Sequence, residues 1–171
     1  CHGIMLKRCL NDSLYTKGQY MKLIIASNNE GKIKEFKEML TPLGYEPVSM
    51  KEAGINIDIE EDGTTFSENA HIKAKAIYDM THTPVLADDS GLSIEFLGGA
   101  PGIYSARYLG EDTPYSVKNQ HIIDLLEGKE GDERSARFVC VIACAFPDGR
   151  SITATGVVEG QIGYEEKGEH G

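Results

Sequence analysis

An α/β fold is predicted by three observations: short apolar runs recur along the chain, segments of helical periodicity lie between them, and polar glycine-containing turns mark the junctions. The first run, at 22–26, is Lys-Leu-Ile-Ile-Ala and leads into Ser27, Asn28, Asn29, Glu30, Gly31 and Lys32. After it, Ile33, Phe36, Leu40 and Leu43 fall at helical spacing, and Pro42 and Gly44 end that helix. A second helix is predicted over 65–80, with Phe66, Ala70, Ala74 and Ile77 as its buried stripe. Thr65 followed by Glu68 fits a capping box, in which hydroxyl and carboxylate satisfy orphan N–H groups reciprocally. Apolar residues at 84–87 predict a buried strand, 92–97 another, and 117–126 a helix ended by Gly128. Residues 137–146 and 151–159 predict two strands joined at Pro147, Asp148 and Gly149, where proline presets the bend and glycine accepts positive φ.

Two junctions carry chemistry. The run at 84–87 ends in Asp88, Asp89, Ser90 and Gly91, so a buried strand would deliver two carboxylates to its exposed end. Such a hard-oxygen cluster suits Mg²⁺ beside a phosphate. A strand-ending Asx turn, using the same oxygens on loose backbone N–H groups, is the plainer reading. Adjacent strand residues point to opposite faces, so Asp88 and Asp89 should do different jobs unless the backbone turns there. The other junction, 27–32, has strand, polar turn and helix start in phosphate-binding order. Backbone N–H groups and the helix dipole would favour an anion, and Lys32 would add a mobile charge. It is not a Walker loop, because the Gly-x-x-x-x-Gly-Lys-Ser/Thr spacing is absent. Its plain alternative is a turn leading into a helix. Glu68 is likewise either a cap or a metal-facing carboxylate.

Four ordered segments resemble one family. They are 26–35 (Ala-Ser-Asn-Asn-Glu-Gly-Lys-Ile-Lys-Glu), 60–70 with Lys73 and Ala74, 87–92 (Ala-Asp-Asp-Ser-Gly-Leu), and 97–108, which opens Leu-Gly-Gly-Ala-Pro-Gly. In this order they are similar to the inosine/xanthosine triphosphate pyrophosphatases, house-cleaning enzymes that hydrolyse non-standard purine nucleoside triphosphates. The resemblance implies a mixed twisted sheet flanked by helices, in an elongated two-lobed fold with the nucleotide cleft between the lobes. It also implies a homodimer that uses Mg²⁺ to release nucleoside monophosphate and pyrophosphate from inosine, deoxyinosine and xanthosine triphosphates.

Site roles follow from the same resemblance. Asp89 is expected to be the general base on the attacking water, and it and Lys73 are the candidate catalytic residues. Asp88 and Glu61 are expected as the principal Mg²⁺ ligands, with Asp89 also touching the metal. Lys32 and Lys73 would hold phosphate oxygens. Ser27, Asn28, Asn29, Glu30, Gly31 and Ser90 would bind the triphosphate. Arg107, after the glycine-rich loop, suits bidentate contact with a phosphate or an acidic neighbour and has no assigned role.

Two departures from the family bear on the expectation. Its Gly-Phe-Gly-Tyr-Asp-Pro and Ser-His-Arg segments, which help hold purine and phosphates, are not in this sequence, so the chain is expected to be a member lacking its last portion. Residues 1–20 have no family counterpart and read as a fusion remnant, a mis-called start or a tag, which leaves 21–171 as the pyrophosphatase domain. A nucleotide-binding remnant without turnover is the reading of another class. A septum-inhibitor-like pyrophosphatase of related fold, preferring modified pyrimidines, is a third.

Composition narrows the partners. The 171 residues carry a formal net charge of −10, which argues against a nucleic acid, because that partner needs a basic face. A free nucleotide needs only a local positive pocket and a metal, which Lys32, Lys73 and Mg²⁺ can supply. No apolar stretch reaches membrane-span length and no signal-peptide core is present, so the chain is read as cytoplasmic and without a membrane partner. Cys140 and Cys144, four apart in an apolar run, are expected to be core residues on one strand face. None of the five histidines pairs with another at metal-ligand spacing.

Overall fold

The structure, a computed structural model, describes residues 20–167. Five strands are present: β1 (Met21–Ala26), β2 (Tyr45–Ser49), which the apolar runs do not predict, β3 (Val85–Ile94), β4 (Ser135–Ala145) and β5 (Ser151–Gln161). They form one mixed sheet in the order β2-β1-β3-β4-β5. The helices are α1 (Glu30–Leu40), α2 (Phe66–Thr81) and α3 (Tyr115–Leu125). Two compact units emerge. Among the described residues, the first comprises 20–89 together with Cys140–Gly156, and the second Ser90–Val139 with 157–167.

In the first unit β1 pairs parallel with β2, from Met21 opposite Tyr45 to Ile25 opposite Ser49, and parallel with β3, from Ile24 opposite Val85 to Ala26 opposite Ala87. Parallel neighbours need a crossover, and α1 supplies it between β1 and β2. Phe36 and Leu40 on α1 pack with Leu23 and Ile25 of β1 and Leu86 of β3 into one core cluster. Burying each such side chain stabilises the fold by roughly 1.5–3 kcal/mol before entropy is counted. The α1 helix gives way to a 3₁₀ turn at Thr41–Leu43 and stops at Gly44, whose φ of 84° needs glycine. On α2, Ala70, Ala74 and Ile77 are buried as the stripe requires, while Phe66 at the helix start is only half-buried.

Cys140 and Cys144 belong to that same cluster, as their spacing on a strand demands. Burial, reinforced by the nearby Asp88 carboxylate, pushes the Cys140 thiol up to about 12. It is therefore inert at neutral pH and packs as a small hydrophobe.

In the second unit Ile94, Ile122, Leu126 and Ala136 form a separate core. Its polar anchor is Arg134, buried, whose guanidinium donates to the carbonyls of Leu126, Ile162 and Gly163, each at 2.7 Å. The Leu126 carbonyl, buried just past the end of α3, would otherwise lack this donor, which is costly. The glycine-rich loop forms a defined turn. Gly98 and Gly99 take φ of 65° and 91° in a tight turn, and Ser93 and Pro101 form an isolated bridge.

One expectation is corrected. β3 does not end at Ala87, and 92–97 is not a separate strand. A single strand runs through Asp88, Asp89, Ser90 and Gly91 to Ile94, and residues 95–99 are turn. Asp and Gly are poor strand formers, but β-propensity yields when the side chains find tertiary partners. Both carboxylates do.

Candidate active site

The carboxyl end of β1 is where the first unit concentrates its polar chemistry. In parallel sheets the crevice beyond the strand ends is the usual ligand position. Ala26 lies opposite Ala87, so Asp88 continues β3 one residue past the paired segment, level with the start of the loop at 27–29. Ser27 Oγ accepts from the Asn29 N–H at 3.2 Å, and Asn29 Oδ1 caps α1 by accepting from the Lys32 N–H at 3.0 Å. Gly31 belongs here for clearance, since a Cβ would stand 3.2 Å from that capping oxygen. Asn28, Asn29, Glu30 and Gly31 are exposed and Ser27 is half-buried. Ser27 and Asn29 thus have local capping duties, and the loop they shape presents the first turn of α1.

Capping fixes where Lys32 starts, and its side chain reaches β3. Lys32 Nζ donates to Asp88 Oδ2 at 2.6 Å, with the Asp88 side chain only 2% exposed and that of Lys32 31%. Burial pulls the Lys32 ammonium down, but the charge and hydrogen bond of Asp88 outweigh it, so its pKa stands above the usual 10.5. Asp89, 8% exposed, points the other way, as strand alternation requires, and accepts from Asn69 Nδ2 of α2 at 3.1 Å. The two aspartates thus meet different partners, Lys32 and Asn69. Neither stands at an exposed strand end.

The third carboxylate arrives on the loop before α2. Glu61 is half-buried and its Oε1 lies 3.3 Å from Lys73 Nζ, two turns into the helix. Gly63 two residues on donates its N–H to Asn69 Oδ1 at 2.9 Å. Glu68 is a cap: its Oε2 accepts from the Thr64 N–H and hydroxyl, each at 2.7 Å, and from the Thr65 N–H at 3.1 Å. The Thr64 hydroxyl and N–H hold the Glu68 carboxyl below its ordinary range. Thr65 Oγ1 in turn accepts from the Glu68 N–H, completing the capping box.

Sequence reasoning named every charged member of this arrangement and missed Asn69. The available signal was a poor helix former at the fourth position of α2, three after Phe66 and therefore on the stripe meant for the core. Ser90 follows Asp89 on β3, half-buried, and opens the second unit. In that unit the Arg107 guanidinium lies over the Tyr104 ring at 5.0 Å. His71 bridges α2 and β5: one ring nitrogen meets the Ser67 carbonyl at 2.8 Å and the other Thr153 Oγ1 at 3.0 Å.

Among the described residues, no three His, Cys, Asp or Glu side chains converge as a ready metal centre. Glu61, Asp88 and Asp89 are instead held one by one, by Lys73, Lys32 and Asn69. These donors are still hard carboxylate oxygens, and two of the three lie against ammonium groups. That is the chemistry of a site able to receive a hard divalent cation together with phosphate. A cavity of about 750 Å³ adjoins the loop and takes in Ser27, Asn28, Ser49, Lys34 and Lys51. Neither Lys32, Lys73 nor any of the three carboxylates lines it.

Comparison with known proteins decides the family. The model of the Ham1 family matches residues 23–171. This chain belongs to the Ham1 family. It is similar to the dITP/XTP pyrophosphatase of Desulforamulus reducens, 51% identical over 151 residues that cover 88% of this chain and 75% of that protein. The dITP/XTP pyrophosphatase of Bacillus subtilis is 48% identical over 148 residues, 86% of this chain and 75% of that one. Among solved structures, the Staphylococcus aureus Ham1 protein superposes with a TM-score of 0.78 at 39% identity, covering 88% and 76% of the two chains. A nucleoside-triphosphatase / dITP/XTP pyrophosphatase from Mycobacterium abscessus gives 0.74 at 30% identity, covering 88% and 77%. The motif resemblance and the α/β class are both borne out, and the mixed sheet flanked by helices is the family's.

Proposed function

We propose that this chain hydrolyses the non-standard purine nucleoside triphosphates of inosine, deoxyinosine and xanthosine to nucleoside monophosphate and pyrophosphate. The observation that carries the reading is the arrangement at the carboxyl end of β1. There Lys32 is paired with Asp88 beside Asp89, and Lys73 on α2 is paired with Glu61 on the loop before it, in a chain half identical to a dITP/XTP pyrophosphatase.

Asp89 accepts the proton of the attacking water, and the amide of Asn69 keeps its carboxylate oriented for that task. Water adds its oxygen to phosphorus while the phosphoanhydride oxygen leaves with pyrophosphate. Lys32 and Lys73 take phosphate oxygens as point charges, exchanging part of their present contact with Asp88 and Glu61. Ser27, Asn28, Asn29, Glu30 and Gly31 shape the loop that meets the triphosphate, and Ser90 adds a hydroxyl. Asp88, Glu61 and Asp89 would hold Mg²⁺, which when bound neutralises phosphate charge.

A homodimer in the cytoplasm, without nucleic-acid or membrane partners, completes the proposal. Phe138, Val157 and Val158 are large apolar side chains left exposed in the second unit, which supports self-association. No helix among the described residues is long and apolar enough to cross a membrane. The test is pyrophosphate release from inosine, xanthosine, adenosine and guanosine triphosphates, with and without Mg²⁺, alongside light-scattering mass. Mg²⁺-dependent pyrophosphate from the inosine and xanthosine nucleotides is the expected result. Its absence from both would refute the reading.

A further inference from the structure

We propose that Asn69 is a positioning residue whose carboxamide locks the Glu61-bearing loop to Asp89, so that two carboxylates carried on separate segments keep a fixed spacing. The inference rests on the roles given above to Asp89 and Glu61, and it adds a residue that touches neither substrate nor reacting atoms.

An asparagine inside a helix is costly by propensity, and one with no exposed surface must satisfy its amide inside the protein. Asn69 does so at both ends. Its Nδ2 donates to Asp89 Oδ2 on β3 at 3.1 Å, and its Oδ1 accepts from the Gly63 N–H in the loop at 2.9 Å. Its own backbone N–H is spent in the first turn of α2, on the Thr65 carbonyl at 3.1 Å. One side chain therefore joins loop, helix and strand.

The loop is fitted to this amide. A Cβ on Gly63 would stand 2.6 Å from Asn69 Oδ1 and 2.8 Å from Glu68 Cβ, so no other residue keeps the loop this close without movement. Glu61, two residues upstream, is paired with Lys73 of the same helix. A core-filling role alone would be served by a leucine of similar volume. Leucine would take away the acceptor of the Gly63 N–H and the Asn69 donor to Asp89 Oδ2.

Two substitutions separate the ends of the lock. Asn69→Asp keeps an acceptor for Gly63 but removes the donor to Asp89, whereas Asn69→Ala removes both. Backbone hydrogen exchange on the full chain reads the loop without reference to activity. Protection of the Gly63 amide should fall about tenfold or more in Asn69→Ala and stay within about threefold of the parent in Asn69→Asp. With deoxyinosine triphosphate, kcat should fall about tenfold or more in both while KM moves less than about threefold, the signature of lost positioning rather than lost binding. Within an Asp89→Asn background, measured at single turnover, Asn69→Ala should cost less than about threefold more. Gly63→Ala, which drives a methyl onto the amide oxygen, provides a second route to the same kcat loss should Asn69→Asp not fold.

Unchanged Gly63 protection in Asn69→Ala would overturn the lock, as would parental kcat in either Asn69→Asp or Gly63→Ala. Full additivity with Asp89→Asn would do the same. Failure of the parent chain to release pyrophosphate would instead sink the functional reading, and the Gly63 exchange comparison would still decide whether the lock exists.

Discussion

Asp89 carries the sharpest consequence of the geometry. Asp89→Asn keeps the size of the side chain, and a rotated amide can still offer an oxygen to Asn69, so the fold should survive. Loss of the base should lower single-turnover hydrolysis by about 10²–10⁴-fold, while nucleotide binding by calorimetry persists in part. Lys32 behaves differently because Asp88 is almost wholly buried beneath it. Lys32→Ala leaves that carboxylate without its ammonium and should destabilise the protein by about 1–3 kcal/mol, discounted for the partly exposed lysine. It should also weaken the triphosphate far more than the monophosphate, since the lost charge faces the outer phosphates. Equal weakening of both in a titration would assign Lys32 to the fold alone.

At the scale of elements, α2 and β4 each yield a stability test. Thr65→Ala removes the hydroxyl half of the capping box and should cost about 1 kcal/mol in denaturant unfolding. In β4 the sign follows from Cys140. Its thiol ionises near 9.0 in the unfolded chain but only at about 12 in the fold, so its contribution is complete below pH 9 and is lost as pH rises toward 12. The slope approaches about 1.4 kcal/mol per pH unit in that window. Lys32, raised above 10.5, adds loss of the same sign at the upper end. Cys140→Ala should flatten the decline, which unfolding curves at pH 8, 9.5 and 10.5 would reveal.

These elements also mark how far the sequence is legible. Periodicity and capping chemistry are local, so α1, α2, the turn at Gly149 and the two core cysteines could be read directly. The continuity of β3 could not. Its two aspartates look like a strand end until Lys32, far back in the chain, and Asn69 are seen to meet them. Lys32 and the two aspartates stand out in the sequence as charge at the ends of apolar runs, whereas Glu61 and Lys73 are picked out only by the family resemblance. Asn69 gives only a weak signal, a poor helix former on an apolar stripe, and its role shows only once both of its partners are in place.

For the whole molecule, the first unit holds the proposed site residues on segments scattered over more than sixty residues. The loop after β1, the loop before α2 and the middle of β3 all bring their polar groups to the first unit. The central claim is that this assembly cleaves between nucleoside monophosphate and pyrophosphate, with Asp89 activating the water. The most direct measurement resolves the products of inosine triphosphate hydrolysis, with Mg²⁺, by the parent chain and by Asp89→Asn. The account predicts inosine monophosphate and pyrophosphate in equal amounts from the parent, and about 10²-fold less of both from the variant. Inosine diphosphate with orthophosphate, or undiminished hydrolysis by Asp89→Asn, would contradict it.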